Sequence, residues 1–267
     1  MTDTWFEERE RAQDYISQQT LLRCIGAESH WDAQAVLEHS YCQLAELELQ
    51  VDQISHKVPD LHQRLSAVLD AFYTQWLFCG SEQNAPEHQL NSVCYVLKMR
   101  SGSPTALSIV LCHLLERAGL AANLAMEQGE VMVHVGFSYD EGYIVEPCSG
   151  QQTWYIVPEN EQEKQDEPLE IVTGDEAFKL YLAQQKWAFI AADKFGHALS
   201  CVELLMGMLG DDPYERRDRG YLLNQINCPK MAKEDLQYFV DECPDDPTID
   251  IIEHQISELA DHNHVLH

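Results

Sequence analysis

Arg100-Ser-Gly-Ser-Pro-Thr-Ala-Leu-Ser-Ile-Val-Leu-Cys-His-Leu-Leu-Glu-Arg-Ala-Gly119 is the stretch whose reading decides the fold. Ser103 is a helix cap by residue type, and Pro104 suits the first helical position, where a missing N–H costs nothing. Leu107, Val110, Leu111, Leu114 and Leu115 recur at helical spacing as a buried face, and Gly119 closes the helix. Beyond it the period changes from helical to two. Val131, Val133, Val135 and Phe137 alternate with Met132, His134, Gly136 and Ser138, the pattern of a strand with one face inward. Residues 142–147 and 153–157 read as two further strands split by the turn Pro147-Cys-Ser-Gly150, and 169–173 as a last short one. A helical segment followed by a small meandering antiparallel sheet predicts an α+β fold.

Upstream, residues 7–26, 31–55 and 60–79 read as helices. Leu65, Val68, Leu69, Phe72 and Trp76 form one stripe on the third, with Pro59 at its entrance and Gly80 at its exit. A polar loop over 81–88 leads to a short helix near 90–100. Downstream, 159–168 is an acidic loop or linker, and helix resumes from Asp175. The tail repeats: His197–Pro213 and Met231–Pro247 are related by a shift of 34 residues, with Ala198 on Ala232 and Asp211-Asp-Pro213 on Asp245-Asp-Pro247. That helix–turn–helix period is the tetratricopeptide one, and Gly220, Ala232 and Pro244 fall at its glycine, alanine and proline spacing. A final helix over 248–260, with Ile251, Ile252, Ile256 and Leu259 inward, caps the stack.

The charge balance narrows the partners. Forty-five acids against 17 Lys and Arg give a net charge of -28, which repels phosphate backbones and anionic membrane surfaces. Neither a nucleic-acid nor a membrane partner is expected; basic partners, or simply a solvated and highly soluble surface, fit better. Nine cysteines, none in a Cys-x-x-Cys pair, exclude a zinc ribbon or thioredoxin-type site and read as buried reduced thiols. The start has no basic run followed by an apolar core, and no stretch is long enough to span a bilayer, so a soluble cytoplasmic setting is expected. Phosphate-loop, dinucleotide and His-Glu-x-x-His motifs are missing from the sequence, and no cofactor is expected.

Three motifs carry a resemblance: Gly102-Ser-Pro104 opening the central helix, the strand bearing His134, and Glu146-Pro-Cys-Ser-Gly150 at a strand end. Together with the tail, the chain resembles the bacterial transglutaminase-like proteins with tetratricopeptide repeats, the SirB-type invasion-regulator family. The likeness runs over 65–158 and 183–247. It implies a papain-like core over 65–174, preceded by a helical leader over 1–64 packed on it and followed by repeats over 175–267. The chain departs from the family where members carry Gly-His before an apolar run, and Asp-Pro-Phe in place of Glu146-Pro-Cys148.

In the wider transglutaminase and papain-like group, a cysteine opens the central helix, whose positive end stabilises the thiolate. A His on a facing strand takes its proton, and an acid on the next strand orients the ring. The resemblance places that nucleophile at position 104, where this chain has Pro104, and implies that the subgroup generally lacks the cysteine. His134, Glu146 and Cys148 therefore stand either as a relic or as a displaced catalytic set. By alternation Cys148 is expected on the sheet face of Glu146, and His134 is a candidate partner for Glu146. Ser103, Thr105 and Met132 are candidate pocket residues. No metal site is expected: His134, Glu146 and Cys148 lack a recognised ligand spacing, and the tail histidines His262, His264 and His267 read as a solvated end. The expected function is a non-catalytic adaptor or regulator binding a protein partner through the repeat tail. The alternatives are an amidase or peptidase with a non-standard nucleophile, and a purely structural repeat scaffold.

Overall fold

The structure is a computed structural model and describes residues 20–81, 85–138, 141–156 and 169–262. The first part of the helix expected over 7–26, the acidic loop 159–168, and His264 and His267 lie outside the described residues. The chain forms two compact units, one ending at Tyr181 and the other beginning at Leu182.

The first unit opens with helices α1 (20–28), α2 (Gln34–Lys57) and α3 (Leu61–Asp70), the last running into a π-helical turn at Ala71–Gln75. Strand β1 (Cys79–Gly80), helices α4 (Glu87–Leu90) and α5 (Val93–Met99), and strand β2 (Ser101–Gly102) lead into α6 (Pro104–Arg117). Five strands follow: β3 (Ala121–Glu127), β4 (Glu130–Gly136), β5 (Glu141–Val145), β6 (Gln152–Ile156) and β7 (Glu170–Val172). They form one antiparallel sheet in the order β6-β5-β4-β3-β7. Helix α7 (Gly174–Ala191) runs across the boundary between the units. The α+β class is as the sequence predicts.

Helix α6 is the centre of this unit. The spacing marks five inward leucines and valines, yet every residue from Thr105 to Glu116 is buried. An apolar stripe suffices for a helix lying on a surface; one enclosed on all sides needs no polar face. Here α2 and α5 cover one side and strands β3 and β4 the other. Polar groups pin its end: His113 Nε2 lies 2.7 Å from Glu48 Oε1, and Arg117 makes a two-pronged pair with Asp52 at 2.8 Å on each prong. Arg64 donates to the Ala118 carbonyl at 2.8 Å.

Two boundaries differ from the sequence reading. The helix expected over 60–79 keeps its apolar stripe, but regular helix stops at Asp70. The π turn then brings Phe78 back to stack on Phe72 at 4.1 Å between ring centroids. Gly80 is consequently a strand residue, paired with Gly102, rather than a helix exit. Strand β3, Ala-Ala-Asn-Leu-Ala-Met-Glu, has no strand-like composition. Pairing with β4 on one side and β7 on the other imposes its form.

A buried carboxyl ties together three helices of the unit. Glu28, at the end of α1, accepts from Ser92 Oγ (2.6 Å) and the Cys94 amide (3.3 Å) at the start of α5, and from Tyr181 Oη (2.6 Å) on α7. Its side chain is fully enclosed. Burial pushes its pKa up to about 7, and the hydrogen bonds offset only part of that rise.

The second unit continues from α7 with α8 (Phe195–Leu209), α9 (Pro213–Gln225), α10 (Pro229–Glu242) and α11 (Ile249–His262). Asp212 caps α9 through the amides of Tyr214 and Glu215, with Pro213 at the first helical position. Gly220 lets α9 and α10 approach: a Cβ there would lie 2.8 Å from Leu236 Cγ and 3.1 Å from the Ala232 carbonyl. Leu223, Ala232, Leu236, Phe239, Ile252 and Leu259 form the shared core. Ile251 is the exception to the expected inward face of the last helix, being 61% exposed. None of the nine cysteines is in a disulfide. Four are buried, whereas Cys42 and Cys79 are exposed, so the expectation of buried thiols holds only in part.

Two expectations follow. The folded chain keeps the Glu28 proton that the unfolded chain releases near the ordinary value of 4.5. The stability from this proton is therefore complete below about pH 4.5 and is lost as pH rises through about 7. Urea unfolding should show Glu28→Gln gaining on the parent protein by roughly 3 kcal/mol between those limits. Gly220→Val should destabilise the repeat unit by about 2 kcal/mol through overpacking. Gly207→Ala, on α8 with nothing near its Cβ position, should stabilise it by about 1 kcal/mol, read by the same titration.

Candidate functional site

The start of α6 is assembled by close backbone approaches. Gly102 has no room for a side chain: a Cβ would lie 2.3 Å from Val96 Cγ2 and 2.9 Å from the Leu90 carbonyl. The Ser103 amide donates to that same carbonyl at 2.8 Å, and Ser103 Oγ accepts from the Ala106 amide at 3.3 Å. Pro104 occupies the first helical position and is exposed. The helix therefore begins with a residue that has no N–H and no nucleophile, and the adjacent hydroxyl serves as its cap. Thr105 is buried.

The Glu146–Gly150 turn lies beside this point. Strand β5 ends at Val145, so Glu146 and Cys148 sit in a turn and the alternation expected of them does not apply. The Gly80 amide donates to the Cys148 carbonyl at 3.0 Å, and a Cβ on Gly80 would lie 2.5 Å from Cys148 Cβ. Cys148 is thus attached to β1, whose partner β2 leads into α6. The Glu146 carboxylate accepts from the Cys148 amide (2.8 Å), the Ser149 amide (2.7 Å) and Ser149 Oγ (2.6 Å). Burial would raise this carboxyl, but those bonds more than offset it and hold its pKa below the usual range. Tyr73 secures the turn from α3's continuation: its hydroxyl donates to the Pro147 carbonyl at 3.0 Å, and its ring fills the space a side chain at Gly150 would need.

The environment of Cys148 works against nucleophilicity. Burial first, and the neighbouring Glu146 charge second, push its thiol pKa up to about 12. A helix amino terminus aimed at a thiol would act in the opposite sense.

His134 stands elsewhere. Val131, Val133 and Val135 turn inward on β4, while Met132 and His134 occupy the other sheet face, as their parity predicts. His134 Nε2 is hydrogen-bonded to Tyr155 Oη, not to Glu146. Tyr155 sits on β6, and its ring crosses Gly142 of β5, where a Cβ would lie 2.8 Å from the Tyr155 hydroxyl. Burial lowers the His134 pKa and raises that of Tyr155, so both groups favour their neutral forms. His134 Nδ1 finds no hydrogen-bond partner among the described residues. Cys148 is attached to the strand pair that leads into α6, but His134 and Glu146 are not joined in a relay. Sequence reasoning missed Tyr155, Tyr73 and Gly80. A glycine paired across the sheet from a tyrosine was the available signal, legible only once the β5–β6 register is known. Among the described residues no group of three or more His, Cys, Asp or Glu side chains is placed to hold a metal ion, and no helix is long and apolar enough to cross a membrane.

A central helix backed by an antiparallel sheet, followed by paired helices of 34-residue period, defines a transglutaminase-like protein with a tetratricopeptide tail. Sequence profiles agree: the Transglutaminase-like superfamily matches residues 38–160, and the Tetratricopeptide repeat matches 184–257. These matches and its bacterial relatives support a SirB-type protein of that class. It is 25% identical over 256 residues to a UPF0162 protein of Vibrio cholerae, covering 93% of this chain and 95% of that one. It is 28% identical over 229 residues to UPF0162 protein YchA of Escherichia coli K12, covering 81% and 83%. To protein SirB1 of Salmonella typhimurium it is 28% identical over 218 residues, covering 77% and 79%. No solved structure matches it significantly.

The chemistry of Cys148 is open to direct measurement. At pH 7.5 its alkylation by iodoacetamide should be slower than that of exposed Cys79 by about tenfold or more, and should accelerate continuously with pH above 9. Peptide mapping of a time course checks this.

Proposed function

We propose that the chain is a non-catalytic adaptor with a regulatory role. In this reading its transglutaminase-like unit is a scaffold without a working relay, and its repeat unit holds a protein partner. The supporting observation is Pro104 at the head of α6, where a nucleophile would gain from the helix dipole. The other members of the expected set are committed locally, Glu146 to its own turn and His134 to Tyr155. Nine cysteines without a disulfide suit a reducing compartment, and we assign the protein to the cytoplasm on that ground.

The competing reading is an amidase or peptidase. One observation favours it: Cys148 is attached to the strand pair that leads into α6. Labelling with cysteine- and serine-directed probes separates the two, comparing the parent protein with Cys148→Ala and His134→Ala. The adaptor reading expects labelling only at exposed thiols such as Cys42 and Cys79. It also expects His134→Ala to lower Tm by about 4 °C, as the loss of a half-buried hydrogen bond does. Selective labelling that disappears in both variants, with Tm unchanged in His134→Ala, would establish the enzyme instead.

A further inference from the structure

The repeat unit exposes a line of large side chains with a common position in the repeat. Trp187 on α7 and Tyr221 on α9 are separated by 34 residues, one full period. They are 56% and 38% exposed, respectively. Tyr214, Arg217 and Tyr221 fall at i, i+3 and i+7, a single stripe along α9. One period beyond Arg217 is Ile251, the residue of α11 that turns outward. Helices α7 and α9 lie side by side, because the buried ammonium of Lys186 reaches both Glu215 (3.0 Å) and Asp218 (2.7 Å). Trp187 and Tyr221 thus stand at equivalent, exposed positions of two neighbouring helices.

The charge of the unit indicates what would cover this stripe. Residues 182–267 hold 16 Asp and Glu against seven Lys and Arg. Cations of the unit are engaged internally: Lys186 as above, Arg217 with Asp218, Arg219 with Asp235 and Glu203, and Arg216 with Asp211 and Asp235. Arg219 and Asp235 form a two-pronged pair at 2.7 and 2.8 Å. The acids left over, Asp241, Glu242, Asp245, Asp250 and Glu253 among them, give the unit a negative field. The rings of this unit already take cations on their faces: Arg216 lies 4.2 Å from the Tyr238 centroid, Arg217 5.4 Å from that of Tyr214, and Lys186 5.5 Å from that of Trp187. A second copy of so acidic a chain would be repelled, as would an acidic peptide.

We propose that the partner of the repeat unit presents a cationic segment, Arg or Lys interspersed with apolar residues, that seats on Trp187 and Tyr221. This rests on the reading that the repeat unit binds protein. The guanidinium or ammonium groups stack on the exposed aromatic faces while the surrounding acids draw the segment in, and the apolar residues cover Tyr214 and Ile251.

The test uses the full chain and two fluorescein-labelled peptides, one repeating Ser-Arg-Leu and the other Ser-Glu-Leu, read by anisotropy. The arginine peptide should bind and the glutamate peptide should not. Trp187→Ala and Tyr221→Ala should each weaken binding about tenfold, whereas Trp154→Ala, an exposed tryptophan of the first unit, should leave it unchanged. Equal affinity in all three variants would reduce the effect to attraction by bulk charge and overturn the proposal. Binding of the glutamate peptide that is lost in Trp187→Ala would also overturn it, while leaving the protein-binding reading intact. If neither peptide binds, the proposal fails. A photo-cross-linking residue at position 187 that captures no polypeptide in cells would then remove the protein-binding reading too.

Discussion

Everything in the first unit is arranged around a helix with no wet side. From Thr105 to Glu116 α6 has no solvated face, so it needs a helical layer on one side and a sheet on the other. That requirement explains the order of the chain, with α2, α3 and α5 supplied before the helix and the sheet after it. It also explains where the polar contacts gather. His113, Arg117 and the Ala118 carbonyl are all at the carboxy-terminal end of α6, and their partners come from α2 and α3. Buried polar groups need partners, and α2 and α3 supply them at this end.

The opposite end of α6 is shaped by small residues. Gly102 against Val96 and Gly80 against Cys148 let three backbone segments converge on the first turn. The residue at the head of that turn is Pro104. The convergence depends on the glycines and on Ser103, not on the residue at position 104. Fold and site are specified by different residues.

Much of this was legible in the sequence. The cap and proline of α6, the alternation of β4 and the 34-residue tail period rest on local rules, and local rules survive folding. The rest was set by partners distant along the chain. Strand β3 has a composition no propensity would choose and is a strand because two neighbours make it one. The π turn after Asp70 exists to return Phe78 to Phe72. The link between His134 and Tyr155 depends on the register of β4, β5 and β6, which alternation alone does not supply. Ile251 failed as an inward residue because an isoleucine pattern does not tell a buried face from an exposed one.

Glu28 joins α1, α5 and α7 through three donors in a site with no access to water. Because burial raises the affinity of that carboxyl for its proton, folding near neutral pH is also a proton-binding reaction. The proton must be taken from the surrounding buffer. The heat of folding therefore includes the buffer's own ionisation enthalpy, and two solutions at the same pH but with different buffering ions will give different calorimetric values for the same structural event.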